Sequence, residues 1–84
     1  MPRGHGEDRL ATIVGRNIRR IRKQSGYSQA GLARLARMSQ PSICRLETGD
    51  ENPTPASVTR IARALGVNVA QLLQNPADRA DRAG

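Results

Sequence analysis

SQAGLARLARMSQPSICRLETG, residues 28–49, decides how this chain folds. Its apolar residues recur at helical spacing and not at the alternate spacing of a strand: Leu32, Leu35 and Ala36 in the first half, Ile43 and Leu46 in the second. Ser28 and Ser39 each stand where an N-cap hydroxyl accepts from backbone N–H groups that a helix start leaves free. Pro41 fits only the first turn of a helix, where its missing donor costs little. The stretch therefore predicts two short helices joined by a tight turn, the second starting near Gln40.

Setting Gln40 at zero and advancing about 100° per residue puts Ile43 and Leu46 on one side, and Gln40, Pro41, Cys44 and Arg45 on the other. The first side must be buried; the second is left to solvent. Glutamine bonds bidentately to adenine N6 and N7, and arginine to guanine O6 and N7, in a major groove wide enough to accept a helix. Gln40 and Arg45 are thus candidates to read base edges, Arg45 being equally suited to a nearby phosphate. The plain alternative is two polar residues on a solvated face.

Charge points the same way. The formal net charge is +7, and it is unevenly spread: residues 1–49 hold ten Lys or Arg against three acids, residues 50–84 four against four. Taken alone, Arg16, Arg19, Arg20, Arg22 and Lys23 merely solvate a helix. Beside a helical pair of the kind above, the basic patch is expected to face the phosphate backbone, with binding that weakens steeply as salt is added. Arg19 in this run, and Arg37 further along the chain, are the phosphate candidates.

The 84 residues suffice for one domain with a small core. Tyr27 is the sole aromatic, so Leu, Ile, Val and Ala must fill the interior, and stability is expected to be modest or shared with a partner subunit. One Cys and one His, with no cluster of acids at metal-ligand spacing, form no disulfide framework, metal site or catalytic constellation. No enzyme activity and no cofactor are expected. No apolar run approaches the ~20 residues that span a bilayer, and the start MPRGHGEDR lacks a signal-peptide core, so a cytoplasmic protein with no membrane partner is expected.

Residues 1–7, rich in Pro, Gly and charge, read as a disordered extension, residues 8–75 as the folded domain and residues 76–84 as a tail, loose or a frayed helix. A first helix starting between Asp8 and Thr12 runs to Gln24 with Leu10, Val14, Ile18 and Ile21 on one stripe and Gly26 as its cap. Gly15 interrupts its early part. Tyr27 is placed to pack on Leu32 as a hydrophobic staple. Gly49 closes the third helix, and Asp50 to Thr54 form a polar loop. Thr54 and Pro55 open a fourth helix carrying Val58, Ile61, Ala62 and Leu65, which Gly66 ends. Asn68 and Gln71 suit a capping box for a short fifth helix through Val69, Leu72 and Leu73.

From about Ile13 to Leu73 the sequence resembles the Xre-like helix-turn-helix proteins of the Cro and lambdoid phage repressor type. The resemblance rests on Arg22, Ser28, Gln29, Ala33, Ser39, Gln40, Ile43, Leu46, Glu47, Thr48 and Gly49, and on the later stretch PTPASVTRIARALGVNVAQLL. It implies an all-α, compact five-helix bundle of the lambda-repressor type whose third helix enters the major groove of double-stranded DNA, usually as a homodimer on a palindromic operator.

The resemblance also implies roles. Gln40 matches the glutamine that reads a base, and Gln29 looks like a phosphate clamp at a helix N-terminus. Arg22 and Glu47 match an internal ion pair between the first and third helices. Ser39, Ser42 and Thr48 are candidates either for capping or for phosphate contact. The fifth helix, through Val69, Leu72 and Leu73, is the expected self-association surface.

Three positions depart from the family pattern. Pro41 and Cys44 stand where polar base readers are common, leaving apolar contact, as to a thymine methyl, at Pro41 and only a weak donor at Cys44. Asp50 and Glu51 occupy a loop where relatives often carry Lys or Arg, so phosphate contact from that loop is not expected. The expected function is a dimeric, sequence-specific transcriptional repressor. The alternative is a protein-interaction module on the same scaffold, such as an antitoxin with a toxin partner that also represses its own operon.

Overall fold

Helix α1, His5–Gln24, lies across the bundle, and every later helix is placed by what it buries against α1 or against its neighbour. The computed structural model describes residues 5–75, with side chains from Arg9 onward. Four more helices follow: α2 Gln29–Ala36, α3 Gln40–Thr48, α4 Pro55–Leu65 and α5 Val69–Leu73. Helices α2 and α3 pack on each other, α1 packs on α3 and α5, and α4 covers α2. All regular elements among the described residues are helical, as expected. The expected 1–7 extension is corrected in part, because α1 is already helical at His5, three residues before Asp8. The 76–84 tail and residues 1–4 lie outside the described residues.

Helix boundaries follow from local hydrogen bonds. Ser28 Oγ accepts the Gly31 N–H at 2.9 Å and Ser39 Oγ accepts that of Ser42 at 3.2 Å, each filling one of the orphan donors of a helix start. Thr54 and Ser57 complete a reciprocal capping box with Pro55 in the first turn. At α5, Gln71 Oε1 accepts the Asn68 backbone N–H at 2.9 Å. Gly49 adopts φ 81°, which lets its N–H and that of Asp50 reach back to the carbonyls of Leu46 and Arg45 and close α3. Arg37 does the same for α2 with φ 58°, a left-handed conformation that is unusual for a residue with a Cβ.

The core joins Val14, Ile18, Ile21, Leu32, Ala33, Ala36, Ile43, Leu46, Val58, Ile61, Ala62, Leu65 and Leu72. Two leucines expected inside are not there. Leu35 is half exposed: it lies about 60° behind Leu32 on the helical wheel, while the buried Ala33 and Ala36 lie ahead of it. Leu10 has the right phase but is also half exposed, at the rim of the bundle beside α4 and α5. Tyr27 is exposed as well, so the ring adds little to the interior.

One buried polar residue escaped the sequence reading. Asn17 is fully buried on α1, and its amide donates to the carbonyls of Leu72 and Gln74, both at 2.8 Å. Two orphan acceptors at the end of α5 are thereby satisfied, which ties a five-residue helix to the bundle. The sign was present: Asn17 falls in phase with Val14, Ile18 and Ile21.

Gly15 is where α1 meets the end of α3. A Cβ built there stands 2.3 Å from the Leu46 carbonyl oxygen and 2.8 Å from that of Glu47, so the helices touch backbone to backbone. In an open helix Gly15→Ala gains about 1 kcal/mol. Here it forces the helices apart, and thermal denaturation is expected to show a loss of about 1–3 kcal/mol, as for other overpacked sites. A melting temperature equal to or above the wild type overturns the close approach.

Candidate nucleic-acid interface

Helix α3 is held from one side only. Ile43 and Leu46 are buried to 0% and 1% exposure, whereas Gln40, Pro41, Cys44 and Arg45 are all exposed. The arc left to solvent is the one expected from the helical wheel.

The inner end of α3 is fixed by charge. Arg22 Nε donates to Glu47 Oε2 at 2.6 Å and Arg22 Nη2 to Glu47 Oε1 at 3.1 Å, a two-point grip between side chains that are 8% and 1% exposed. Arg22 Nη1 donates to the Tyr27 carbonyl at 2.8 Å, and Gln29 Nε2 donates to Glu47 Oε1 at 3.0 Å. The Glu47 carboxylate thus joins α1, the first residue of α2 and the end of α3, and Arg22 adds the turn before α2. The pair expected between Arg22 and Glu47 is present, and Gln29, expected at the phosphate, spends one of its two amide donors on it.

The candidate phosphate hydroxyls are turned to internal work. Ser39 caps α3, Ser42 Oγ donates to Glu51 Oε2 at 3.0 Å, and the Thr48 hydroxyl lies 3.0–3.2 Å from Asp50 Oδ2 and the carbonyls of Cys44 and Arg45. A hydroxyl has one proton to give. With two roles open to them, Ser42 and Thr48 both act in this structure as internal donors.

The acidic loop after α3, from which no phosphate contact was expected, bonds back onto the helix. Glu51 Oε1 accepts from Arg45 Nε at 3.0 Å while its other oxygen takes Ser42. Arg45 is thus not an unattached side chain. It remains 53% exposed, and its two Nη nitrogens form no hydrogen bond among the described residues. Arg19 and Arg37 are exposed. The carboxylates of Glu47, Asp50 and Glu51 are the only ones among residues with described side chains, and all are engaged at the end of α3, so the remaining described surface is basic.

At α5 the expected interface is corrected. Leu72 is fully buried against the core and cannot meet a partner, because α5 turns it toward α1 and α4. Val69 and Leu73 are exposed at 37% and 42%, and with Leu10, Pro53, Pro55 and Val58 they line an apolar groove of about 300 Å³. Leu10, misplaced in the core by the sequence reading, belongs to this surface.

Comparison with known proteins agrees with this geometry: the sequence profile of the helix-turn-helix domain matches residues 13–74. The chain belongs to the helix-turn-helix family. It is similar to the uncharacterized HTH-type transcriptional regulator y4dJ of Sinorhizobium fredii, with 35% identity over 64 residues, 76% of this chain and 83% of that protein. It is also similar to the competence pilus inhibition repressor of Acinetobacter baylyi, with 34% identity over 59 residues, 70% of this chain and 54% of that protein, so this chain matches about half of that repressor's length. Among solved structures it resembles the hypothetical transcription factor NHTF from Neisseria, with TM-score 0.84 and 30% identity over 92% of this chain and 86% of that one. It likewise resembles the restriction-modification controller protein C.AhdI from Aeromonas hydrophila, with TM-score 0.72 and 26% identity over 74% of this chain and 94% of that one. The two solved structures share the fold described above. No helix among the described residues is long and apolar enough to cross a membrane.

Glu47→Ala leaves the buried Arg22 guanidinium without its counter-charge. The expected cost is about 3–5 kcal/mol, since an uncompensated buried ion is far worse than a lost surface pair, and a melting curve superimposable on the wild type rules the pair out as a structural element.

Proposed function

We propose that this chain is a sequence-specific double-stranded DNA-binding repressor that works as a homodimer, laying α3 into the major groove of a palindromic operator. What supports the reading is one observation: the apolar flank of α3 is locked in the bundle while Gln40, Pro41, Cys44 and Arg45 stand together at the surface. Gln40 then reads an adenine edge, Arg45 a guanine edge, and Pro41 offers apolar contact to a thymine methyl. The backbone N–H groups at the start of α2, the remaining donor of Gln29, and Arg19 and Arg37 serve the phosphates. The net charge of +7 makes binding fall steeply with salt. A protein with this role acts in the cytoplasm.

The partner copy is the occupant of the apolar groove around Val69 and Leu73, where exposed apolar side chains gather at one edge of the bundle. On a palindromic operator the two copies of α3 have to stand about 34 Å apart, one turn of DNA. The antitoxin alternative gains no support from the relatives, which are named as regulators and repressors.

Selection of bound DNA from random oligonucleotides should yield a two-fold symmetric site. Against that site Arg45→Ala is expected to lose about 1–3 kcal/mol and to relax preference at one base pair per half-site. Uniform weakening on every sequence would instead move Arg45 to the backbone class.

Leu73→Asp, on an exposed position, should leave the fold intact and shift the solution mass from two chains toward one, with weaker operator binding. A wild-type mass of one chain, both free and on operator DNA, refutes the dimer.

A further inference from the structure

The loop carboxylate on α3 has a consequence for specificity. Ser42 and Arg45 lie three residues apart, so they share one face of α3 a turn apart. Glu51 spans that turn, one oxygen on Ser42 Oγ and the other on Arg45 Nε, both at 3.0 Å. Asp50 turns the same way onto Thr48. Both acids of a loop beside the exposed arc therefore point back at the helix.

We propose that Glu51 is a specificity-determining positioning residue: it fixes Arg45 for base reading and keeps it from serving as a general phosphate anchor. This rests on the reading of α3 as the base-reading helix. The chemistry has two parts. A guanidinium offers five N–H donors along two edges, and an unrestrained arginine side chain loses much rotamer freedom on binding. With Nε committed to Glu51, the edge left to a ligand is the pair of Nη groups, whose end-on geometry fits guanine O6 and N7. The second part is repulsion. A carboxylate beside the guanidinium disfavours a phosphate, which is anionic, far more than the neutral O6 and N7 of guanine, and so it lowers binding to arbitrary DNA.

Two substitutions separate these parts. Glu51→Gln removes the charge while its amide oxygen still accepts from Arg45 Nε; Glu51→Ala removes both charge and contact. The pair is partly exposed, so neither is expected to disturb the fold. The measurement is the affinity ratio between the selected operator, the same operator altered at the base pair relaxed by Arg45→Ala, and a random duplex, at two salt concentrations.

Glu51→Ala should bind the random duplex more tightly than wild type and lose roughly tenfold in discrimination at that base pair, the size of one good base contact. Glu51→Gln should also bind the random duplex more tightly but retain most of the discrimination. In the Arg45→Ala background Glu51→Ala should change the discrimination no further. If Arg45→Ala relaxes one base pair while Glu51→Ala keeps the wild-type ratio and the wild-type affinity for random DNA, the role of Glu51 is overturned and the base-reading function stands. If Arg45→Ala itself leaves the ratio unchanged, Arg45 reads no base and both assignments fall.

Discussion

The carboxylate of Glu47 is the point on which the arrangement turns. Burying a charge is costly unless every oxygen is met, and here both oxygens are met by Arg22 and one also by Gln29. Because Arg22 also holds the Tyr27 carbonyl, the same guanidinium fixes where the chain leaves α1 for α2. The pair needs α1 and α3 to lie close, and Gly15 permits this by having no side chain against the last carbonyls of α3. Charge and close packing thus impose one constraint, the angle at which α3 leaves the bundle.

With that angle set, the polar groups around α3 divide into those that build the helix and those left for a ligand. Ser39 Oγ accepts the cap hydrogen bond of α3, while the hydroxyl protons of Ser42 and Thr48 are turned inward. What remains on the outer arc is Gln40, the outward edge of Arg45, Cys44 and the ring of Pro41. The rest of the described surface is basic, which suits attraction to a polyanion from any direction.

The far edge of the bundle follows a similar economy. Asn17 secures α5 through two backbone carbonyls, and Leu72 enters the core. Once α5 is docked, Val69 and Leu73 stay exposed, and they line one groove with Leu10, Pro53 and Pro55. An apolar groove at the edge of a domain with one aromatic residue suggests where further burial is gained.

Much of the fold was legible in the sequence because it rests on interactions within a few residues of one another. The caps at Ser28, Ser39 and Thr54, the turn glycines Gly26, Gly49 and Gly66, and the period of the apolar residues each depend on local backbone geometry, so helix number, order and near boundaries could be read directly. The exposed arc of α3 was legible for the same reason. Tertiary structure alone decided which positions in phase are covered: Leu72 is sealed in, while Leu10 and Leu35 lie open, because coverage depends on where neighbouring helices end. It alone decided that Gly15 is a contact and not a flaw, that Asn17 bonds residues 55 and 57 positions away, and that Glu51 holds Arg45. A helix is specified by neighbours along the chain, whereas a charge or an amide finds its partner only after the chain has folded back on itself.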